Sequence, residues 1–336
     1  MGLVPLKNRT KILFAKKESP LLTNMMHKDV LITDYVHPVL LEGLKSLGFS
    51  TTYAPEMKKE EMEKAIAGYQ GVVINTRCAI NKATIESSPS LRWIARLGSG
   101  LDIIDLEAAA EKGVSVISAP EGNAQAVAEH AMGMLLALSN KLIPADRSVR
   151  EGQWLRELHR GWEMDGKTIG IIGYGNNGSA FGKLWKGWNV RALAYDKYLE
   201  NYGTENVEAV DLVTLLKESD IISLHIPLTA ETKEMVDDVF ISRCKPGVIL
   251  INTSRGKNLN LRDVVEALQS GQLGGACLDV FPFEPPSSGG DEFKKVLDQL
   301  CLLDNVVLSP HIAGWTVESK RKIAEILLTK IKRILD

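Results

Sequence analysis

The sequence predicts an α/β protein built from two doubly wound parallel sheets with helices on both faces. Three observations predict it. Short, β-branched apolar runs that read as buried strands alternate with segments of helical periodicity along most of the chain. At 336 residues the chain is long for a single core, so two domains are expected. One of the strands, about half-way along, breaks into a glycine-rich turn and then a helix.

The elements follow in order. DVLITD (residues 29–34) is a buried-strand pattern, residues 37–47 form a helix closed by Gly48, and residues 49–53 form a second strand. A charged amphipathic helix covers residues 58–66. Residues 72–75 and 91–95 are the next strands, 105–112 a short helix stopped at Gly113, and 114–117 a fifth strand. Residues 123–140 predict a longer helix. Residues 143–162 are polar and irregular, and read as an excursion into a second module. There, strands are predicted at 168–172, 190–195, 221–225, 248–252, 276–280 and 306–308, with helices at 179–185, 212–217 and 262–269. A Pro- and Gly-rich loop lies at 282–290. The last helix, 317–334, has an apolar face that needs a partner and is expected to fold back on the first module. The predicted organisation is an extension at 1–26, a first domain from 27–120 and 311–336, and a second domain at 121–310.

The run KTIGIIGYGNNG ends in Gly173, Gly175 and Gly178, a G-x-G-x-x-G between strand and helix. The first glycine allows a tight turn and the second a close backbone approach to a pyrophosphate. The third lets helix pack on strand, with the helix N-terminus offering free N–H groups to phosphate. A second strand ends at Asp196, about twenty residues on, where a carboxylate can accept from ribose hydroxyls and repel a 2′-phosphate. Together they point to a dinucleotide and favour NAD over NADP.

Bulk composition excludes other classes. Hydrophobic residues make up 45% and charged residues 24%, with a net charge of −2, so no global field holds nucleic acid or an anionic membrane. No apolar run approaches a membrane span. Cys78, Cys244, Cys277 and Cys301 are far apart and read as reduced, mostly buried thiols of a cytoplasmic protein, and no metal is expected. The first residues are basic, with Lys7, Arg9, Lys11, Lys16 and Lys17 ahead of the first acid, Glu18, and they read as a leader upstream of a start at Met25 or Met26.

Ligands of open α/β sheets sit at the carboxyl ends of strands. Three such ends in the second module carry chemistry. Arg255 follows a strand in VILINTSRG, Glu284 another in LDVFPFEPP, and His311 a third in VVLSPHIAG. A guanidinium is a planar fork for a carboxylate. An imidazolium is a proton donor near neutral pH, and a neighbouring carboxylate favours its charged form and fixes its tautomer. This set suits reduction of a 2-oxo acid, with a hydride to the carbonyl carbon and a proton to its oxygen.

At these residues the chain resembles the D-isomer-specific 2-hydroxyacid dehydrogenases. GIIGYGNNG, HIPLTAET, INTSRG, LDVFPFEPP and SPHIAG occur in that family's order and at about its spacing, from about Asp29 to the C-terminus. The resemblance implies a Rossmann NAD-binding domain inserted into a discontinuous, flavodoxin-like substrate domain. It implies NAD as cofactor, Arg255 as substrate binder, Glu284 as partner of the histidine and His311 as acid/base. It also implies a homodimer built on the NAD-binding domains. Cofactor contacts would come from Gly173, Gly175, Asn176, Asn177, Gly178, Asp196, His225, Pro227, Thr253, Ser254, Arg255, Asp279, His311 and Gly314. Asn177 stands where an aliphatic residue is usual, and the insert at 287–293 lengthens the Glu284-to-His311 connection.

The substrate side is expected on Arg96, Gly98, Ser99 and Gly100, where glycines let N–H groups face an anion. Arg77, Arg96 and Arg156 resemble positions that bind phosphate in phosphoglycerate dehydrogenases, and two or three arginines suit a phosphate dianion. The ligand expected is a small 2-hydroxy or 2-oxo acid, with 3-phosphoglycerate of serine biosynthesis first. Glyoxylate, hydroxypyruvate or D-lactate are the alternatives, and an NAD-sensing binding protein is the alternative from another class. Trp315 replaces a small residue common in phosphoglycerate dehydrogenases, and their extra regulatory domain is not expected at the C-terminus.

Overall fold

The computed structural model describes residues 28–335. The chain separates into two compact units, one holding the residues up to Asn123 and from Trp315 on, the other Ala124–Gly314. The leader expected at 1–26 lies outside the described residues.

Unit 1 begins with β1 (Asp29–Ile32), α1 (Pro38–Ser46), β2 (Ser50–Tyr53), α2 (Lys59–Ala65), β3 (Gly71–Ile74), α3 (Lys82–Glu86), β4 (Trp93–Arg96), α4 (Leu106–Glu111) and β5 (Ser115–Ser118). The strands are all parallel in the order β2-β1-β3-β4-β5, a flavodoxin-like winding. Successive residues feed opposite faces. Leu31, Val72, Ile74 and Ile94 pack into one core, and Val30, Ile32, Val73 and Ala95 into another. Burial on both faces is why these strands read as continuous apolar runs.

α5 (Pro120–Ser139) carries the chain across the division, which falls inside this helix at Asn123 and Ala124. Unit 2 continues with α6 (Leu142–Arg150), β6 (Thr168–Ile172), α7 (Asn176–Leu184), β7 (Arg191–Tyr195), β8 (Glu208–Ala209) and α8 (Leu212–Glu218). Then come β9 (Ile221–Leu224), α9 (Asp238–Ser242), β10 (Val248–Asn252), α10 (Leu261–Ser270), β11 (Leu273–Leu278), α11 (Asp291–Cys301) and β12 (Val306–Leu308). Its seven parallel strands run β12-β11-β10-β9-β6-β7-β8, so the winding reverses between β6 and β9, as in a Rossmann sheet. Leu250 packs to one side of it, and Ile249 and Ile251 to the other.

α12 (Val317–Leu335) returns to unit 1. Ile323, Ala324, Leu327 and Ile331 enter the same core as Val30, Ile32 and Trp93. A Cβ on Gly43 would lie 2.3 Å from Leu328 Cδ1, so the glycine sets the close approach of α1 and α12. Lys330 Nζ donates to Ser118 O at 2.8 Å and pairs with Glu121 Oε2 at 2.9 Å.

Some elements differ from expectation. Part of the irregular excursion is α6, whose Pro144 sits in the first turn, where its missing N–H costs nothing. α11 follows the Pro-rich loop and seats Phe293, Val296, Leu297 and Leu300 on the core at helical spacing. α7 starts at Asn176 rather than three residues later, because Gly175 is its N-cap. The loop from His311 to Gly314 stays with unit 2, held by hydrogen bonds to Asp279. Cys301 is exposed, while Cys78, Cys244 and Cys277 are buried. No helix among the described residues is long and apolar enough to cross a membrane.

Leu327 is fully buried in the unit 1 core. Leu327→Ala is expected to lower the unfolding free energy of that unit by about 2–5 kcal/mol, read as a shift in denaturant midpoint. A change below about 0.5 kcal/mol, the size of a surface substitution, would show that α12 is not docked there.

Candidate active site

The glycine turn after β6 is built for close approach. Gly173 has φ +88°, and a Cβ on it would lie 2.6 Å from His225 O. A Cβ on Gly178 would lie 2.0 Å from Gly173 O, so α7 presses directly on the turn. The first N–H groups of α7 come from Asn176, Asn177 and Gly178, and they have no carbonyl within the helix. Asn176 is exposed, whereas the Oδ1 of Asn177 is buried and accepts no hydrogen bond from the described residues.

Asp196 ends β7 as predicted, and its carboxylate also shapes the turn. Oδ2 accepts from Tyr174 N at 2.8 Å, and Oδ1 accepts from Tyr198 N at 2.9 Å and Leu199 N at 3.2 Å. After β9, His225 lies beneath the glycine turn. Its Nε2 meets Ser223 Oγ at 2.9 Å and its ring packs on Phe181. Burial lowers its pKa from 6.5 to about 3, so the ring is neutral. Pro227 O accepts from Thr232 Oγ1 at 2.6 Å. After β10, Ser254 Oγ donates to Asn252 Oδ1 at 2.7 Å, and the buried Oγ1 of Thr253 has no partner among the described residues. The glycine cradle, the unpaired helix N–H groups, Asp196 and the orphan hydroxyl of Thr253 together fit a dinucleotide.

The reactive set lies on neighbouring strands, since β10, β11 and β12 are adjacent. Arg255 follows β10, half-buried, its Nη1 donating to Ser254 O at 2.7 Å. Glu284 follows β11, and Oε1 accepts from Phe281 N at 3.0 Å. His311 follows β12, and its Nδ1 is 2.6 Å from Glu284 Oε2. Both side chains are 35% exposed, so the pair is open to a small molecule. With Nδ1 held by the carboxylate, Nε2 is the nitrogen left for a reacting group. His311 is left-handed, with φ +55°.

Asp279, expected around the cofactor, is completely buried. Its Oδ1 accepts from Ser309 Oγ at 2.5 Å and Ile312 N at 2.9 Å, and Oδ2 from Ala313 N at 2.9 Å. Burial pushes its carboxyl up, but hydrogen bonds from His130, Ser309, Ala313 and Ile312 together hold it below the ordinary carboxylate value. Gly314 closes this loop as the last residue of unit 2. His130 and Ser309 were not singled out from the sequence. The available signals were a lone histidine in an apolar helix and a serine two residues before His311.

The three arginines expected to hold a phosphate have different surroundings. Arg77 pairs with Asp34 Oδ1 at 3.1 Å and also donates to Thr33 O and Pro55 O, which ties the ends of β1, β2 and β3 together. Arg96 is buried, donates to Leu97 O at 2.9 Å and lies against Gly98, whose Cβ would fall 1.7 Å from Nη1. Ser99 and Gly100 are half-buried in the turn beyond. Arg156 belongs to unit 2 and is exposed on the segment after α6. The sequence showed these charges but not their partners.

The model of the D-isomer-specific 2-hydroxyacid dehydrogenase NAD-binding domain matches residues 132–313, more than half of the chain. The chain belongs to this family. It is 39% identical over 275 residues to a hydroxypyruvate reductase of Thermotoga maritima, covering 82% of this chain and 88% of that one. It is 34% identical over 304 residues to a D-3-phosphoglycerate dehydrogenase of Archaeoglobus fulgidus, covering 90% of this chain but only 56% of that one. The chain thus spans little more than half the length of that relative. Among solved structures, D-lactate dehydrogenase of Aquifex aeolicus, complexed with NAD and lactic acid, superposes with a TM-score of 0.80 at 28% identity, covering 91% of this chain and 95% of that one. The family model and this neighbour agree with NAD as the cofactor of unit 2.

The neutral His225 has a consequence for stability. Its folded pKa is depressed, so its contribution is fully present above about pH 6.5 and is lost as pH falls toward 3, by no more than ~1.4 kcal/mol per pH unit. His225→Phe keeps a ring against Phe181 and removes the proton. Its unfolding free energy is expected to fall less steeply than the wild type's between pH 6.5 and 4.5. Parallel profiles in a denaturant titration would mean that the imidazole titrates freely in the folded chain.

Proposed function

We propose that the chain is an NAD-dependent oxidoreductase that interconverts a small 2-oxo acid and its D-2-hydroxy acid. The observation that carries this reading is the 2.6 Å contact between His311 Nδ1 and Glu284 Oε2 on strands next to the one bearing Arg255. The cofactor, when bound, supplies or accepts the hydride. Arg255 holds the substrate carboxylate and draws electron density toward the carbonyl oxygen. His311 gives its Nε2 proton to that oxygen as the hydride arrives at carbon, and takes it back in the reverse direction. Glu284 stabilises the imidazolium and fixes Nδ1–H as the far donor.

The far end of the substrate is read as uncharged and small, with hydroxypyruvate and glyoxylate ahead of 3-phosphohydroxypyruvate. Arg77 is neutralised by Asp34, and Arg96 is buried against Gly98, so neither offers an open fork to a phosphate. The exposed Arg156 and the likeness to phosphoglycerate dehydrogenases favour the phosphorylated substrate as the second reading.

His311→Gln is expected to cut turnover by about 10²–10⁴-fold, the size of a lost general acid, while NADH still binds by fluorescence titration. The wild type, assayed by NADH oxidation, is expected to turn over hydroxypyruvate and glyoxylate faster than the phosphorylated acid. A preference for the phosphorylated acid would restore the arginines as its site. No turnover of any 2-oxo acid would favour an NAD-sensing binding protein.

The partner proposed is a second copy of this chain. Leu142, Ile143, Val149, Trp154 and Leu158 are all exposed on α6 and the segment after it, with Trp154 at 78%. Such an apolar stretch marks an association surface, and it lies on unit 2, the domain through which the resemblance implies a homodimer. Sedimentation is expected to give a dimer, and Trp154→Glu a monomer. A monomeric wild type would sink this assignment.

A further inference from the structure

The chain crosses between its units twice, within α5 and just after Gly314. Inside unit 2 these two segments are tied together. His130, on α5, places Nε2 2.9 Å from Ser309 Oγ. Ser309 Oγ lies 2.5 Å from Asp279 Oδ1, a separation that requires the hydroxyl to donate to the carboxylate. The serine oxygen then has its lone pairs free, and His130 fills one by donating from Nε2. The relay is therefore His130 N–H to Ser309 O–H to Asp279. His130 Nε2 is also only 3.5 Å from Asp279 Oδ1.

The far side of Asp279 is the loop that bears His311. Its carboxylate takes Ile312 N and Ala313 N, and its backbone carbonyl takes His311 N at 2.7 Å. The residues following His311, and its own amide, are thus fixed to one buried acid. His311 is left-handed, a conformation that a non-glycine residue adopts at a cost and keeps only when its surroundings impose it. That conformation keeps Nδ1 on Glu284.

We propose that His130 and Ser309 are positioning residues for His311, acting through Asp279 to hold the left-handed loop that aims its imidazole. The proposal rests on the reading of His311 as the acid/base, and two kinds of measurement separate the two claims. Neither residue is placed against substrate or cofactor. Loss of either donor leaves Asp279 under-bonded, the loop relaxes, and the Glu284–His311 contact loosens.

The test uses the full-length protein with Ser309→Ala and His130→Phe, against the donor-retaining Ser309→Thr and His130→Gln. Without any ligand, proton NMR should show the shared Nδ1 proton of His311 as a downfield resonance, assigned by its loss in His311→Gln. It should be lost or broadened in Ser309→Ala and His130→Phe and retained in the donor-retaining pair. In turnover of hydroxypyruvate, the first two variants should lose about tenfold or more in kcat, the scale of one hydrogen bond to a charged group. KM for NADH should stay within about twofold, as expected when the altered group acts on the transition state rather than on binding. Where a donor-less variant fails to fold, the His130→Gln and Ser309→Thr proteins decide. In them a lost resonance and a collapsed kcat, despite the retained donor, overturn the proposal. An unchanged resonance and unchanged kcat in Ser309→Ala and His130→Phe also overturn it. A wild type without turnover but with the expected resonance pattern defeats the catalytic reading and leaves the positioning network standing.

Discussion

The buried carboxylate of Asp279 is the constraint on which the reactive end of the molecule depends. A buried unpaired charge is not tolerated, because desolvation costs several kcal/mol unless donors replace water. Asp279 meets that demand with Ser309, Ile312 and Ala313, and with His130 close by. These donors fix the course of the chain after β12. A loop free to wander would not hold a histidine at φ +55°, and without that conformation Nδ1 would not meet Glu284.

The sheet does the coarse positioning. Neighbouring parallel strands lie about 4.8 Å apart, so three consecutive strands ending in Arg255, Glu284 and His311 bring a fork, a carboxylate and an imidazole within reach of one small molecule. The reversal of winding between β6 and β9 opens a crevice between the glycine turn and the loop from His225, where a dinucleotide fits. Loops placed on such a rigid frame need only local hydrogen bonds to become accurate.

The parts legible in the sequence were those whose cause is local. A β-branched run, a glycine turn and a helix start within a dozen residues declare a strand and its loop, and so the strand ends bearing Asp196, Arg255, Glu284 and His311 were identifiable. Partners distant in sequence were not. Arg77 is tied to Asp34 across 43 residues, and His130 to Ser309 across 179. Nothing near either residue announces the other. α6 looks irregular in the sequence because its charges interrupt the apolar periodicity, and its Pro144 is tolerated in a first turn. α11 is masked in the sequence by the proline-rich loop before it, although Phe293, Val296, Leu297 and Leu300 recur at helical spacing.

The return of α12 has a consequence for biosynthesis. The sheet of unit 1 leaves the ribosome before unit 2, yet one of its faces is covered by Ile323, Ala324, Leu327 and Ile331, which leave after it. Between them come the roughly 200 residues of unit 2. At translation rates of about 5–20 residues per second, that apolar face waits on the order of 10–40 s for its cover. Unit 2, whose residues are contiguous, can fold in that interval. Unit 1 therefore completes its core after unit 2, the reverse of the usual N-terminal-first order.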